Sequence, residues 1–211
     1  MILMLRYRTG KFLLGFLLIA ALFSGCGGPQ KKISRILEKA SEARQEGDVN
    51  QAVQLLSNLN ESFPGNADIL EALGLAHEEE PDPFAAAIAL QQAVEADPER
   101  TFLLKSVAEN YAAVGDYNSA QSAYEQYLED FPQDGEATMA LADLYREANQ
   151  IESAVDAYLR GYDLLERPLR GDEAVILGDL FFQLGNYPRA ENFYEGALES
   201  GALSELPAPF G

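Results

Sequence analysis

The stretch TFLLKSVAENYAAVGDYNSAQSAYEQYLEDFPQD, residues 101–134, decides the fold. Leu104, Val107, Ala108 and Tyr111 recur at spacings of three and four. After Gly115-Asp116 the same spacing returns at Ala120, Tyr124 and Tyr127, and Pro132 closes the unit. Each set falls on one face of a helix. The stretch therefore predicts two helices joined by a turn, each burying its face on the other or on a neighbouring pair.

Working outward, the unit recurs. Small residues of the second helix stand at Ala52, Ala86, Ala120, Ala154 and Ala190, at intervals of 34, 34, 34 and 36. The first helix carries Ala40, Gly74, Ala108, Ala142 and Gly178. Pro64, Pro98 and Pro132 follow their alanines by twelve residues. A fixed period near this length with a helix-turn-helix pattern marks a repeat array. The units run over residues 33–66, 67–100, 101–134, 135–168 and 171–204, with two extra residues in the connection at 167–170. Gly47-Asp48, Gly115-Asp116 and Gly185-Asn186 supply turns, Pro81-Asp82-Pro83 and Asn149-Gln150 replace them in two units, and small anchors mark where paired helices approach most closely.

This pattern resembles the tetratricopeptide repeat (TPR) family over residues 33–204. The first-helix Trp usual in that family is replaced by Ile36, Leu70, Leu104, Thr138 and Ala174. The resemblance implies an all-α protein, a right-handed α-solenoid of about five helix-turn-helix repeats. It also implies a partner-binding groove lined from the first helices. The groove residues so implied include Leu37, Glu71, Leu75, Phe102, Lys105, Glu109, Met139, Asp143, Arg146, Val175, Asp179 and Phe182, with Arg44, Asp68, Glu78, Glu79, Glu136 and Asp172 at further facing positions. This acidic wall with apolar points suits a basic or amphipathic peptide, or consists of ordinary solvated acids. Chaperone-tail clamps of the family need Lys and Asn at set positions; only Lys105 fits, which disfavours a carboxylate clamp.

The 211 residues carry 15 Lys and Arg against 34 Asp and Glu, a net charge of −19. Arg6, Arg8 and Lys11 precede Cys26 and no acid does, so 12 − 34 leaves −22 for the remainder. That charge argues against nucleic acid, whose phosphates need a basic surface. One Cys and one His exclude an internal disulfide and a Cys/His zinc cluster. His77 falls where other units have Tyr111, Tyr145 and Phe181, a packing position. Glu78-Glu79-Glu80 lacks the spacing of a calcium loop. With no nucleophile-base-orienter set, the expectation is no catalytic residue, no metal and no cofactor.

Residues 1–25 read as a signal peptide: basic residues, an apolar run over 12–23 broken only by Gly15, then Phe23-Ser24-Gly25-Cys26. The run is too short for a membrane-spanning helix, which needs about 20 apolar residues. The last four residues resemble the bacterial lipobox, with Phe23 in place of the commoner Leu. That resemblance implies cleavage before Cys26 and lipidation of its thiol. Gly27 is not the Asp that retains such lipoproteins in the inner membrane, which implies an outer membrane facing the periplasm where the cell has one, and the outer face of the plasma membrane in a single-membrane bacterium. Residues 26–32 then read as the lipidated Cys and a short polar tether, in which Lys31 and Lys32 either attract headgroups or merely solvate the chain. Residues 205–211, with Pro207 and Pro209, form a tail without regular helix. Lipobox and repeats together resemble, in layout, the TPR lipoproteins of envelope assembly machines. The expected function is a non-catalytic scaffold that binds other envelope proteins. The alternatives are a regulatory binding subunit of an envelope enzyme such as a cell-wall hydrolase, and a cytosolic TPR protein.

Overall fold

The computed structural model describes residues 27–199, which form ten α-helices and one 3-10 turn with no strand among the described residues. The expected signal peptide, Cys26, the end of the last repeat and the expected tail lie outside the described residues. The chain divides after Pro64 into two compact units.

The first unit is a single hairpin of α1 (Gly27–Gln45) and α2 (Val49–Ser62). Ile33, Ala40 and Ala43 of α1 are buried, as are Ala52, Leu56 and Leu59 of α2. Between the helices Asp48 accepts a bond from the Gln51 amide at 3.0 Å, which satisfies one free N–H of the new helix. The expected tether over 26–32 is corrected here: from Gly27 onward it is helix, continuous with the first repeat. Pro29 sits in the first turn, where its missing N–H costs nothing. The polar residues that suggested a linker lie on the exposed side.

The second unit holds α3 (Ala67–Glu79), α4 (Pro83–Ala96), a 3-10 turn (Pro98–Leu103), α5 (Leu104–Ala113) and α6 (Tyr117–Asp130). It continues with α7 (Gly135–Glu147), α8 (Ile151–Leu165), α9 (Gly171–Gln183) and α10 (Tyr187–Glu199). Consecutive helices pair as hairpins, and each second helix packs on the next first helix. Asn66, Asp82, Asp116 and Asp134 cap α3, α4, α6 and α7 by accepting amide hydrogen bonds. The backbone is left-handed at Gly115 (φ 79°), at Gly185 (φ 70°) and at Asn149 (φ 57°), Asn being the non-glycine residue that best tolerates that state.

Two buried clusters run in succession through this unit. Leu70, Leu90, Leu104, Val107, Ala120, Tyr124 and Leu141 belong to one buried cluster. Ala142, Ala154, Tyr158, Leu177, Leu180 and Ala190 belong to the next. Ala86, Ala120 and Ala154 are wholly buried. The third repeat differs from its sequence reading at its start. Its first helix begins at Leu104, because Asp97 accepts from the Glu99 amide and the chain takes a 3-10 turn first.

The close approach shows at Gly74, where an added Cβ would lie 2.5 Å from Leu90 Cγ and 3.2 Å from the Leu90 amide nitrogen. Leu90 is itself fully buried and has no room to swing away. Gly→Ala in a helix gains about 1 kcal/mol, against overpacking costs of about 1–3 kcal/mol. We expect Gly74→Ala to lose up to about 2 kcal/mol net by chemical denaturation; a stabilised variant would show that the helices are not in contact there.

Candidate functional site

The residues assigned to the groove occupy solvent-facing or half-buried positions of α1, the 3-10 turn and the first helices α3, α5, α7 and α9. Leu37 is half-buried on α1, within the first unit. In the second unit Leu75, Met139 and Val175 are half-buried, whereas Phe102 and Phe182 are 51% and 57% exposed. Phe182 packs edge-on against Tyr187, with ring centroids 5.3 Å apart.

The acids of this wall are less free than their number suggests. Arg100 donates to Asp97 Oδ2 at 2.9 Å, and also to Asp68 and Glu71 on α3. Its guanidinium thereby holds the Asp97 carboxyl below the usual range. Lys105 reaches Asp134 Oδ2 at 2.9 Å, and Tyr127 donates to the same oxygen at 2.9 Å. Burial raises the Asp134 pKa, but bonds from the Ala137 amide, Lys105 and Tyr127 outweigh it and hold the carboxyl below its ordinary value. Lys105, the single residue compatible with a carboxylate clamp, is thus already bound to a carboxylate. Asn110 donates to Glu78 at 2.7 Å. Glu109 shifts the other way: desolvation raises it, opposed by Lys105 and assisted by Glu78 and Asp134.

A second regularity fixes the acids at the ninth position of the last two units. Tyr158 of α8 donates to Asp143, and Tyr194 of α10 donates to Asp179 Oδ1 at 2.6 Å. Tyr124 stands in the same sequence relation to Glu109, whose charge adds to burial in raising the phenol. The hydrogen bond to Asp179, followed by burial, pushes Tyr194 up to about 12. Arg146 also lies 3.3 Å from Asp143 and 3.2 Å from Glu147. These pairings were not in the sequence reading. The signal was present: Tyr124, Tyr158 and Tyr194 each follow an acid by fifteen residues.

His77 is part-buried, its Nδ1 3.3 Å from Glu80 Oε2. Among the described residues no group of three or more His, Cys, Asp or Glu is placed to hold a metal ion. The wall offers anchored carboxylates, two exposed phenylalanines and shallow apolar points.

Stacked antiparallel helix pairs with small residues at the crossings define an α-helical repeat protein. The tetratricopeptide repeat profile matches residues 37–101 and 108–172, more than half of the chain, and the chain belongs to that family. Tetratricopeptide repeat protein 21A of Mus musculus is 32% identical over 123 residues, which is 49% of this chain and 9% of the mouse protein. The chain therefore spans under a tenth of that curated relative. Among solved structures, a crystal structure of MamA superposes with TM-score 0.67 at 18% identity, covering 84% of this chain and 97% of that one. MamA from Desulfovibrio magneticus RS-1 gives 0.63 at 16% identity, with 85% and 99% covered. At such identities these structures bear on the fold alone. As a TPR protein the chain is a protein–protein interaction scaffold, of a kind that is generally non-catalytic.

Proposed function

We propose that this chain is a lipid-tethered scaffold of the bacterial cell envelope, anchored through Cys26 and holding other envelope proteins near a membrane, on the periplasmic face of an outer membrane. One observation carries the reading: Arg6, Arg8 and Lys11, a short apolar run and Phe23-Ser24-Gly25-Cys26 lead directly into TPR helices. A single acyl chain binds a membrane marginally and two or more hold stably, so the anchor needs multiple acylation. The partner is a basic or amphipathic segment. Phe102 and Met139 offer apolar contacts, and the carboxylates at Glu109, Asp143 and Asp179 offer charge at repeated intervals.

Two measurements test this. Mass spectrometry of the mature protein should find an acylated Cys26 as its first residue; an intact leader or a free thiol overturns the anchor. Photo-crosslinkers at Phe102 and Met139 in living cells should capture the same envelope protein, with a crosslinker at Gln92, exposed on the second helix α4, capturing none of it. Failure to capture any partner from either groove position overturns the binding assignment.

A further inference from the structure

The positive charge of this protein is unevenly placed. Residues 65–211 hold seven Lys and Arg against twenty-nine Asp and Glu, a net −22. Residues 27–64 hold five of each and are neutral, and four of those five cations fall before residue 40. In α1, Lys31, Lys32, Arg35 and Lys39 follow one another at spacings of one, three and four, and all four are exposed. At 3.6 residues per turn they span about 100° of the helix circumference, with Gly28 between them. The buried residues Ile33, Ala40 and Ala43 face elsewhere. No acid occurs between Gly27 and Leu37. Among the described residues none of the four cations is ion-paired; Lys32 has only the Phe63 ring, 5.3 Å from its ammonium. Lys31, Lys32 and Arg35 precede the first acid of the helix, Glu38, which together with Glu42 flanks the row only at its Lys39 end.

We propose that the Lys31–Lys32–Arg35–Lys39 face of α1 is a contact surface for anionic lipid headgroups, and that α1 lies along the bilayer beside the anchor. The inference rests on the reading of Cys26 as the lipidated residue for its distance from the membrane. Helix begins at Gly27, so at about 1.5 Å per residue an upright α1 would hold Lys39 some 20 Å from the anchor, about twice the Debye length. Laid along the surface, all four cations come within screening range. Glu42 and Glu46 continue the same face toward the end of the helix. Their repulsion confines the contact to the part of α1 up to Lys39. The anchor then supplies attachment, and the basic face supplies orientation: the anionic surface attracts this row and repels the acidic repeats.

The test is amine footprinting of the purified full-length mature protein reconstituted into two kinds of vesicle, neutral phosphatidylcholine alone or with one-third anionic phosphatidylglycerol. Acetylation rates at Lys31, Lys32 and Lys39 are read by mass spectrometry, with Lys105 as internal reference. On the anionic vesicles we expect the three lysines to react about fivefold more slowly, since each cation gains roughly that factor at such a surface. Lys105 should not change, and high salt should abolish the difference. Equal rates on the two vesicles overturn the proposal, as does equal slowing of Lys105. The same spectra report the state of Cys26. An unacylated Cys26 with protected lysines would overturn the anchor and support the basic face; an acylated Cys26 with unprotected lysines would do the reverse.

Discussion

Ala120→Arg is expected to destabilise the folded protein by at least about 4 kcal/mol. Ala120 has no solvent-exposed surface and lies within the cluster that contains Leu104, Val107 and Tyr124. Its methyl group lies on the first turn of α6, where that helix packs against α5. A longer side chain must push the helices apart or bend into strained rotamers, at about 1–3 kcal/mol. The guanidinium would then lose water without gaining a carboxylate, adding several kcal/mol more. Ser122→Arg, two residues on and exposed, should stay within about 0.5 kcal/mol of wild type and serves as the control. Urea denaturation followed by circular dichroism reads both. An Ala120→Arg midpoint equal to that of Ser122→Arg would remove the helix contact on which the repeat packing depends.

Glu173→Ala is the second large effect. Glu173 is 4% exposed on the first turn of α9, yet it is charged. Both Nη atoms of Arg167 donate to it, at 2.8 and 2.6 Å, and the Arg170 amide donates at 2.8 Å. The Arg170 guanidinium adds a contact at 3.1 Å. These bonds gather the two-residue-longer connection between α8 and α9 onto the helix start. Removing the carboxylate leaves Arg167 without its ion-pair partner, while the exposed Arg170 keeps Asp172 at 3.4 Å. Arg167 is a third exposed and can turn to water, which lowers the cost from the full buried-pair value to about 2–3 kcal/mol at pH 7.

The pH dependence has a fixed sign. The Arg167 bond, opposed by burial and assisted by the Arg170 amide, lowers the Glu173 pKa in the folded state. Its stabilisation is therefore fully present above the unfolded glutamate value of about 4.3 and is lost as pH falls through the lower folded value. The stability difference between wild type and Glu173→Ala should narrow below about pH 4. A difference that is constant from pH 7 to pH 3 would mean that Glu173 acts through packing rather than charge. Glu173→Gln, similar in shape, separates the two at pH 7: only a charge role predicts a loss there.

Much of the fold was legible because repeat proteins write it in one dimension. The recurrence of Ala52, Ala86, Ala120 and Ala154 every 34 residues depends on local rules, with apolar spacing choosing helix and Gly-Asp choosing the turn. Local rules also misled. Residues 27–32 are polar and glycine-rich and resembled a linker, but Pro29 is well placed in a first turn and the following residues carry the helix back to Gly27. Likewise the 3-10 turn before α5 depends on the Asp97 side chain reaching the Glu99 amide, a choice that apolar periodicity does not report.

The electrostatic character of the binding wall was not legible. A count of residues at groove positions predicts an open row of acids. In the structure Arg100 meets Asp68 and Glu71, Lys105 meets Asp134, and Asn110 meets Glu78, all between residues 29 to 32 apart in sequence. Such partners share a neighbourhood only after helices of successive repeats have packed, and the rotamers that join them follow from that packing. Helix, turn and period are properties of short segments, so order along the chain specifies them. Which charges remain free for a partner is a property of side chains brought together by stacking, and three-dimensional packing alone assigns it.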